Sequence, residues 1–403
     1  KDTAIYHPQA GTVTISGGEV YGVTGGVQMC AGTLNVTGGT ISATGNGDVS
    51  GKTGDGSIPD GAAVSIVNRA YPAGAPTMTI SGGTFPSAAG VGAVQAYGWK
   101  NDSQQTWDKP NASVSGGTFS SAVPADYCAE GFIPTANADG TYGVKAGAYV
   151  AQIGDVKYET LQEAIDAVKA NETIYVLGNI DLGTDELSTY DVKTTVKNVT
   201  IDLGGYTVTS AGKYTVYLKV NGWTIQNGTI QNTNASTTYG TLYVGGSSNS
   251  TTLKNLTVES KTNGVQFAIA SSKNGIKASI TVEDGTKISG NYGVYMKGQP
   301  KPYGSTRDGQ EILNVNGGEI TGTTAAIAVF GAAKGNTKAG VIVNINGGKV
   351  YSDSYAIAGN GSSVLENTTI NISGGKVFVT QAVIAPCCSR EVMPSGAKLS
   401  SSS

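Results

Sequence analysis

Along most of the chain, apolar and polar residues alternate in short runs, the period-two pattern of half-buried strands. The runs break at one recurring step and then resume. Thr14-Ile15-Ser16-Gly17-Gly18-Glu19-Val20 is the first copy, followed by Val36-Thr37-Gly38-Gly39-Thr40-Ile41, Ile80-Ser81-Gly82-Gly83-Thr84-Phe85 and Val114-Ser115-Gly116-Gly117-Thr118-Phe119. It returns as Val315-Asn316-Gly317-Gly318-Glu319-Ile320, Ile345-Asn346-Gly347-Gly348-Lys349-Val350 and Ile372-Ser373-Gly374-Gly375-Lys376-Val377. A glycine pair between apolar runs suits a sharp bend that needs positive φ or close approach to a neighbouring strand. Many successive copies lie between about 20 and 30 residues apart, a length that suits one coil of a β-solenoid. A sandwich built of hairpins would instead show turn signals every 8–12 residues or so. The pattern therefore predicts an all-β fold, specifically a right-handed parallel β-helix.

One segment departs from this pattern. Leu161, Ala164, Ile165 and Val168 recur at helical spacing within residues 159–170, and Thr160 with Glu163 forms a capping-box pair. A short α-helix is predicted there, placed to cap an open solenoid end whose core and strand edges would otherwise meet water. Just before it, Gly131-Phe132-Ile133-Pro134 and Asp139-Gly140-Thr141-Tyr142-Gly143-Val144 carry turn and hairpin chemistry. Two modules in tandem are expected: residues 1–147, the closing part of one β-helix, and residues 148–403, a second with its helical cap at the start. Lys1 leads almost directly into a strand pattern, so the chain reads as a segment of something larger.

Composition narrows the function classes. Glycine contributes 59 residues, while charged residues are 14% and the net charge is −3. With no basic face to neutralise phosphates, a nucleic-acid partner is not expected. No apolar run reaches membrane-spanning length, so no membrane span is expected in this segment. The cysteines, Cys30, Cys128, Cys387 and Cys388, match no zinc spacing; Cys30 and Cys128 read as small buried apolar residues.

Val114-Ser115-Gly116-Gly117-Thr118-Phe119-Ser120-Ser121, then Ala125-Asp126-Tyr127-Cys128-Ala129-Glu130-Gly131-Phe132 with Asp139-Gly140-Thr141-Tyr142, form one block that carries a resemblance. A second runs from Val150-Ala151-Gln152-Ile153-Gly154-Asp155 through Leu161-Gln162-Glu163-Ala164-Ile165. Together they resemble the β-helical repeat modules, of pectate-lyase-like fold, in large cell-surface proteins from gut Firmicutes. The resemblance implies an extracellular protein, at a cell surface or secreted, and says little about chemistry. Hydrolases of that fold place clustered aspartates beside a histidine and an arginine–lysine pair. Here the one histidine is His7, no Asp-Asp pair occurs, and the arginines are Arg69, Arg307 and Arg390. Catalysis is thus disfavoured, and no catalytic residue is assigned. A polysaccharide lyase or hydrolase stands as the alternative, and a secreted or phage fibre as another. A lyase would use calcium, for which Asp181, Asp185, Glu186 and Asp191 are the best acidic cluster, although their spacing matches no calcium loop. Asp55 and Asp60 flank a further loop and read as solvated carboxylates.

The favoured reading is an adhesin or display stalk whose partner is a glycan or a host surface protein. Sugars stack on exposed aromatic rings set among polar groups. Tyr97, Trp99 and Trp107 lie in the longest polar insertion of the first module, and Tyr303 and Arg307 in the polar loop 297–311 of the second. Tyr292 and Tyr295 flank that loop. These are the candidate ligand-binding residues.

Overall fold

The computed structural model describes residues 2–51, 56–268, 273–298, 307–329, 338–359 and 367–380, with a strand pair at 332–333 and 365–366. Strands dominate, and among the described residues there is one α-helix. The chain divides into two compact units, Lys1–Ala148 and Tyr149–Ser403.

In the second unit Ala151–Ile153 pairs antiparallel with Val156–Tyr158 and Thr173–Val176, and Ala332–Ala333 with Leu365–Glu366, while most strands fall into three parallel ladders. One pairs Thr173–Val176 with Thr200–Asp202 and continues through the first halves of Asn221–Asn232 and Asn249–Ser260 to Lys277–Val282, Gln310–Val315, Gly340–Ile345 and Thr368–Ile372. Its register sets Ile201, Ile225, Leu253, Val282, Val315 and Ile345 in one column, all buried. A second ladder aligns Val208, Ile230, Val258, Ile288, Ile320 and Val350. The third aligns Leu187, Val216, Leu242, Val265, Val294 and Ile327. Alternation along each strand turns these residues inward and their neighbours outward. The inward columns merge into one apolar core.

The first unit repeats the arrangement on a smaller scale. Thr3–His7, Gly25–Met29, Val64–Asn68 and Val94–Lys100 form one parallel ladder. A second sheet stacks Ile15, Val36, Ile80 and Val114 in register. It ends in an antiparallel hairpin, Phe132–Ala136 with Tyr142–Ala146. The rings of Phe85 and Phe119 lie on neighbouring strands, stacked at 4.8 Å.

The helix spans Leu161–Ala167 and opens with the capping box that the sequence predicts. Thr160 Oγ1 accepts from the Glu163 N–H, and the Thr160 N–H donates to Glu163 Oε2, each at 3.1 Å. It stops at Val168, which is already extended. Leu161 and Ile165 close over Leu187, Ile201, Leu203, Val208 and Val216 at the start of the core.

The two glycines of the repeated step have different reasons. At Gly82 a Cβ would sit 2.6 Å from the Thr37 carbonyl oxygen of the neighbouring strand, while Gly83 holds φ at +110°. The first glycine thus allows contact between successive repeats, and the second makes the bend. Gly17, at the edge of the stack, would meet nothing within 4 Å.

One polar group lies deep in the first unit. Asp60 is 1% exposed, so the expectation of a solvated loop carboxylate is corrected; Asp55 lies outside the described residues. Asp60 Oδ2 accepts from the Tyr97 hydroxyl at 2.7 Å and from Gln28 Nε2 at 3.0 Å, and Oδ1 accepts from the Ala62 N–H at 3.0 Å. Burial outweighs these donors and raises the Asp60 pKa. Cys30 is buried as expected, and burial pushes its thiol up to about 11. Cys128 differs in being half-exposed, and Cys387 and Cys388 lie outside the described residues.

Two stability predictions follow from these contacts. Gly82→Ala is expected to cost about 1–3 kcal/mol in urea unfolding, the range for forcing atoms into a packed site. Gly17→Ala should change stability far less. Native Asp60 keeps its proton to higher pH than the unfolded chain does, so its contribution is full below the ordinary 3.8 and is lost as pH rises through the raised native value. Asp60→Asn should remove that acid-side slope from urea midpoints measured across pH; an unchanged slope would mean that Asp60 ionises normally in the fold.

Candidate functional site

The most extensive aromatic surface among the described residues lies on the third ladder of the second unit. In the strand Val216–Leu218 the flanking residues point inward and Tyr217 points out. Tyr243 does the same in Gly240–Val244, and parallel pairing sets it directly beside Tyr217. The same register continues through the buried Gln266 to Tyr295. Tyr214 and Tyr239 enter from the loops preceding the two strands, and Tyr190 from the turn after Leu187–Ser188.

These rings form one contiguous patch. Tyr214 and Tyr243 stack at 5.6 Å with planes 10° apart. Tyr217 lies 5.7 Å from each of them and 6.0 Å from Tyr190. Tyr239 meets Tyr243 edge-on at 5.1 Å. A Cβ at Gly245 would collide with the Tyr217 hydroxyl, so the bare glycine leaves room for that ring. Tyr190 is 55% exposed and the other four are half-buried.

Lysines border the patch. Lys219 Nζ lies 3.7 Å from the Tyr190 ring centroid, and Lys213 Nζ lies 4.3 Å from that of Tyr239. Both distances fall within the range of cation–π attraction. Glu186 Oε1 accepts from the Lys213 N–H at 2.7 Å. Burial, then the charge of Glu186 and its hydrogen bond, push the Tyr214 phenol up to about 12. Burial also raises Tyr217 and Tyr243. The phenols therefore stay neutral, and the surface offers ring faces, hydroxyls and two ammonium groups. Such a surface suits stacking and hydrogen bonding to a polyhydroxylated ligand.

The structure redistributes the residues singled out from sequence. Tyr97 and Trp99 are 3% and 6% exposed and pack with Cys30, Ile58 and Val67. Their rings are unavailable for stacking, which corrects the expectation that this insertion displays them. The cause is the strand Val94–Lys100, which turns them against the first unit, with Ser103–Gln105 folding back as its antiparallel partner. Trp107 is half-exposed and borders an open groove of about 630 Å³ with Gln104, Gln105, Asp108, Asp126 and Tyr127. Tyr303 lies outside the described residues. Arg307 is half-exposed where its loop returns to Gln310–Val315. Tyr292 and Tyr295 contact each other at 5.4 Å.

The acidic cluster does not assemble into a metal site. Among the described residues no three His, Cys, Asp or Glu side chains converge to hold an ion. Asp181, Asp185 and Glu186 line an open groove beside the helix start, and Asp191 is not part of it. Asp181 caps its own turn by accepting from the Gly183 N–H at 2.9 Å, and Glu186 reaches Lys213.

Sequence reasoning missed Tyr190, Tyr214, Tyr217, Tyr239 and Tyr243. A signal was present: Tyr190, Tyr217 and Tyr243 are one repeat apart, as are Tyr214 and Tyr239. No protein-family model, curated protein or solved structure matches the chain.

Calcium addition or chelation is expected to leave the thermal unfolding midpoint unchanged to within about 1 °C, since a bound ion would stabilise the native state by mass action. A midpoint that climbs with calcium concentration would show an ion site after all.

Proposed function

We propose that this chain is a segment of an extracellular adhesin that binds glycans through the tyrosine face of its second unit. In this reading both units are right-handed parallel β-helices of the pectate-lyase-like kind carried by cell-surface proteins of gut Firmicutes. The in-register ladders and glycine-pair bends support that architecture. The observation that carries the function is the contiguous patch of Tyr190, Tyr214, Tyr217, Tyr239 and Tyr243. Large aromatic groups left partly open to solvent on a rigid ladder are costly to maintain, and contiguous apolar surface of this kind marks contact sites. Tyrosine combines an apolar face with a hydroxyl, which suits a sugar's alternation of C–H faces and hydroxyl edges.

The test is a glycan and mucin array probed with the intact chain. Selective binding is expected, weakened about tenfold or more, a change of about 1.4 kcal/mol, by Tyr243→Ala or Tyr217→Ala. Tyr21→Ala, which removes a 60% exposed ring from the first unit, should leave binding unchanged. Silence across the array would overturn the reading in favour of a stalk without a glycan site.

A further inference from the structure

We propose that the tyrosine face prefers anionic sugars, those bearing a carboxylate or a sulfate, over neutral ones; this rests on the glycan-binding reading above. The argument begins with two positive charges. Lys213 and Lys219 have no ion-pair partner among the described residues. The Lys219 ammonium donates to the Tyr190 carbonyl at 3.4 Å. In a chain whose charged residues are 14%, two unneutralised ammonium groups on one small surface stand out.

The neighbouring carboxylate is not ion-paired with them. Glu186 Oε1 accepts from the Lys213 backbone N–H at 2.7 Å, and it forms no ion pair with either ammonium group. The ammonium groups are instead held by rings. Lys219 Nζ sits 3.7 Å from the centre of Tyr190, and Lys213 Nζ sits 4.3 Å from Tyr239 and 5.7 Å from Tyr214. Attraction to the ring faces restrains two otherwise mobile side chains before any ligand arrives, which lowers the ordering cost on binding.

The layout separates two tasks. Tyr217 and Tyr243, which no lysine covers, lie in register in the middle of the patch and present apolar surface to a sugar ring. Lys213 and Lys219 stand at its borders with unused N–H donors. A neutral sugar uses the rings and ordinary hydrogen bonds. An anionic one adds a charge-assisted hydrogen bond, roughly twice as strong as a neutral one.

The experiment titrates the intact chain with a hexuronate oligosaccharide, a sulfated oligosaccharide and a neutral oligosaccharide of equal length. At low ionic strength at least one anionic ligand should bind about tenfold more tightly than the neutral one, and its advantage should shrink as salt screens the charges. The double variant Lys213→Met, Lys219→Met keeps an aliphatic stem over the rings. It should lose the anionic advantage, with neutral binding falling far less than anionic binding, whereas Lys213→Arg, Lys219→Arg should keep the advantage. Tyr243→Ala should weaken every ligand. Equal binding of neutral and anionic ligands, still sensitive to Tyr243→Ala, overturns the charge preference and leaves the glycan reading standing. No binding of any of the three overturns both. Circular dichroism of each variant identifies loss of fold.

Discussion

In a parallel ladder each residue lies beside its counterpart one repeat away, at the spacing of hydrogen-bonded strands, about 4.8 Å. A residue suited to such a position must therefore tolerate a close neighbour much like itself. Branched apolar side chains do so inside, where Ile225, Leu253, Val282 and Val315 fill one column. At the bends the same closeness excludes a side chain, which is why the Gly82 position opposes the carbonyl of Thr37. Outside, it brings Tyr217 and Tyr243 together into a surface that neither ring could form alone.

The register also explains how much could be read in advance. The all-β character, the alternating strands and the bend at the glycine pair were legible, because each depends on residues adjacent in the chain. The helix was legible for the same reason: Thr160 and Glu163 make both capping contacts within one turn. What escaped depends on residues a full repeat or more apart. Asp60 looks like a surface carboxylate until Gln28 and Tyr97 arrive from separate strands to enclose it. Tyr97 and Trp99 look like the tip of a polar loop until their strand aligns with Val64–Asn68. The tyrosine patch is dispersed through more than fifty residues and is assembled by pairing alone.

Sparse charge shapes the tyrosine face as well. Where few ions are present, each unpaired one dominates its surroundings over about a Debye length, close to 8 Å at physiological salt. Lys213 and Lys219 lie beside rings of the tyrosine face, so apolar surface and positive charge meet on one side of the ladder. The deep Asp60 shows the opposite regime, in which removal from water sets the proton affinity more strongly than the donors around it.

The outward columns of amides add a chemical dimension. Asn346 Nδ2 donates to Asn316 Oδ1 at 3.0 Å, and Asn316 Nδ2 donates to Glu283 Oε1 at 2.9 Å. Each of these asparagines precedes a glycine, the neighbour that least obstructs attack of the backbone nitrogen on the side-chain amide. Hydrolytic loss of that amide would turn a donor into a carboxylate facing another acceptor, and at Asn316 it would set two negative charges against each other. At these two bends the ladder thus passes the effect of one altered side chain on to the repeat beside it.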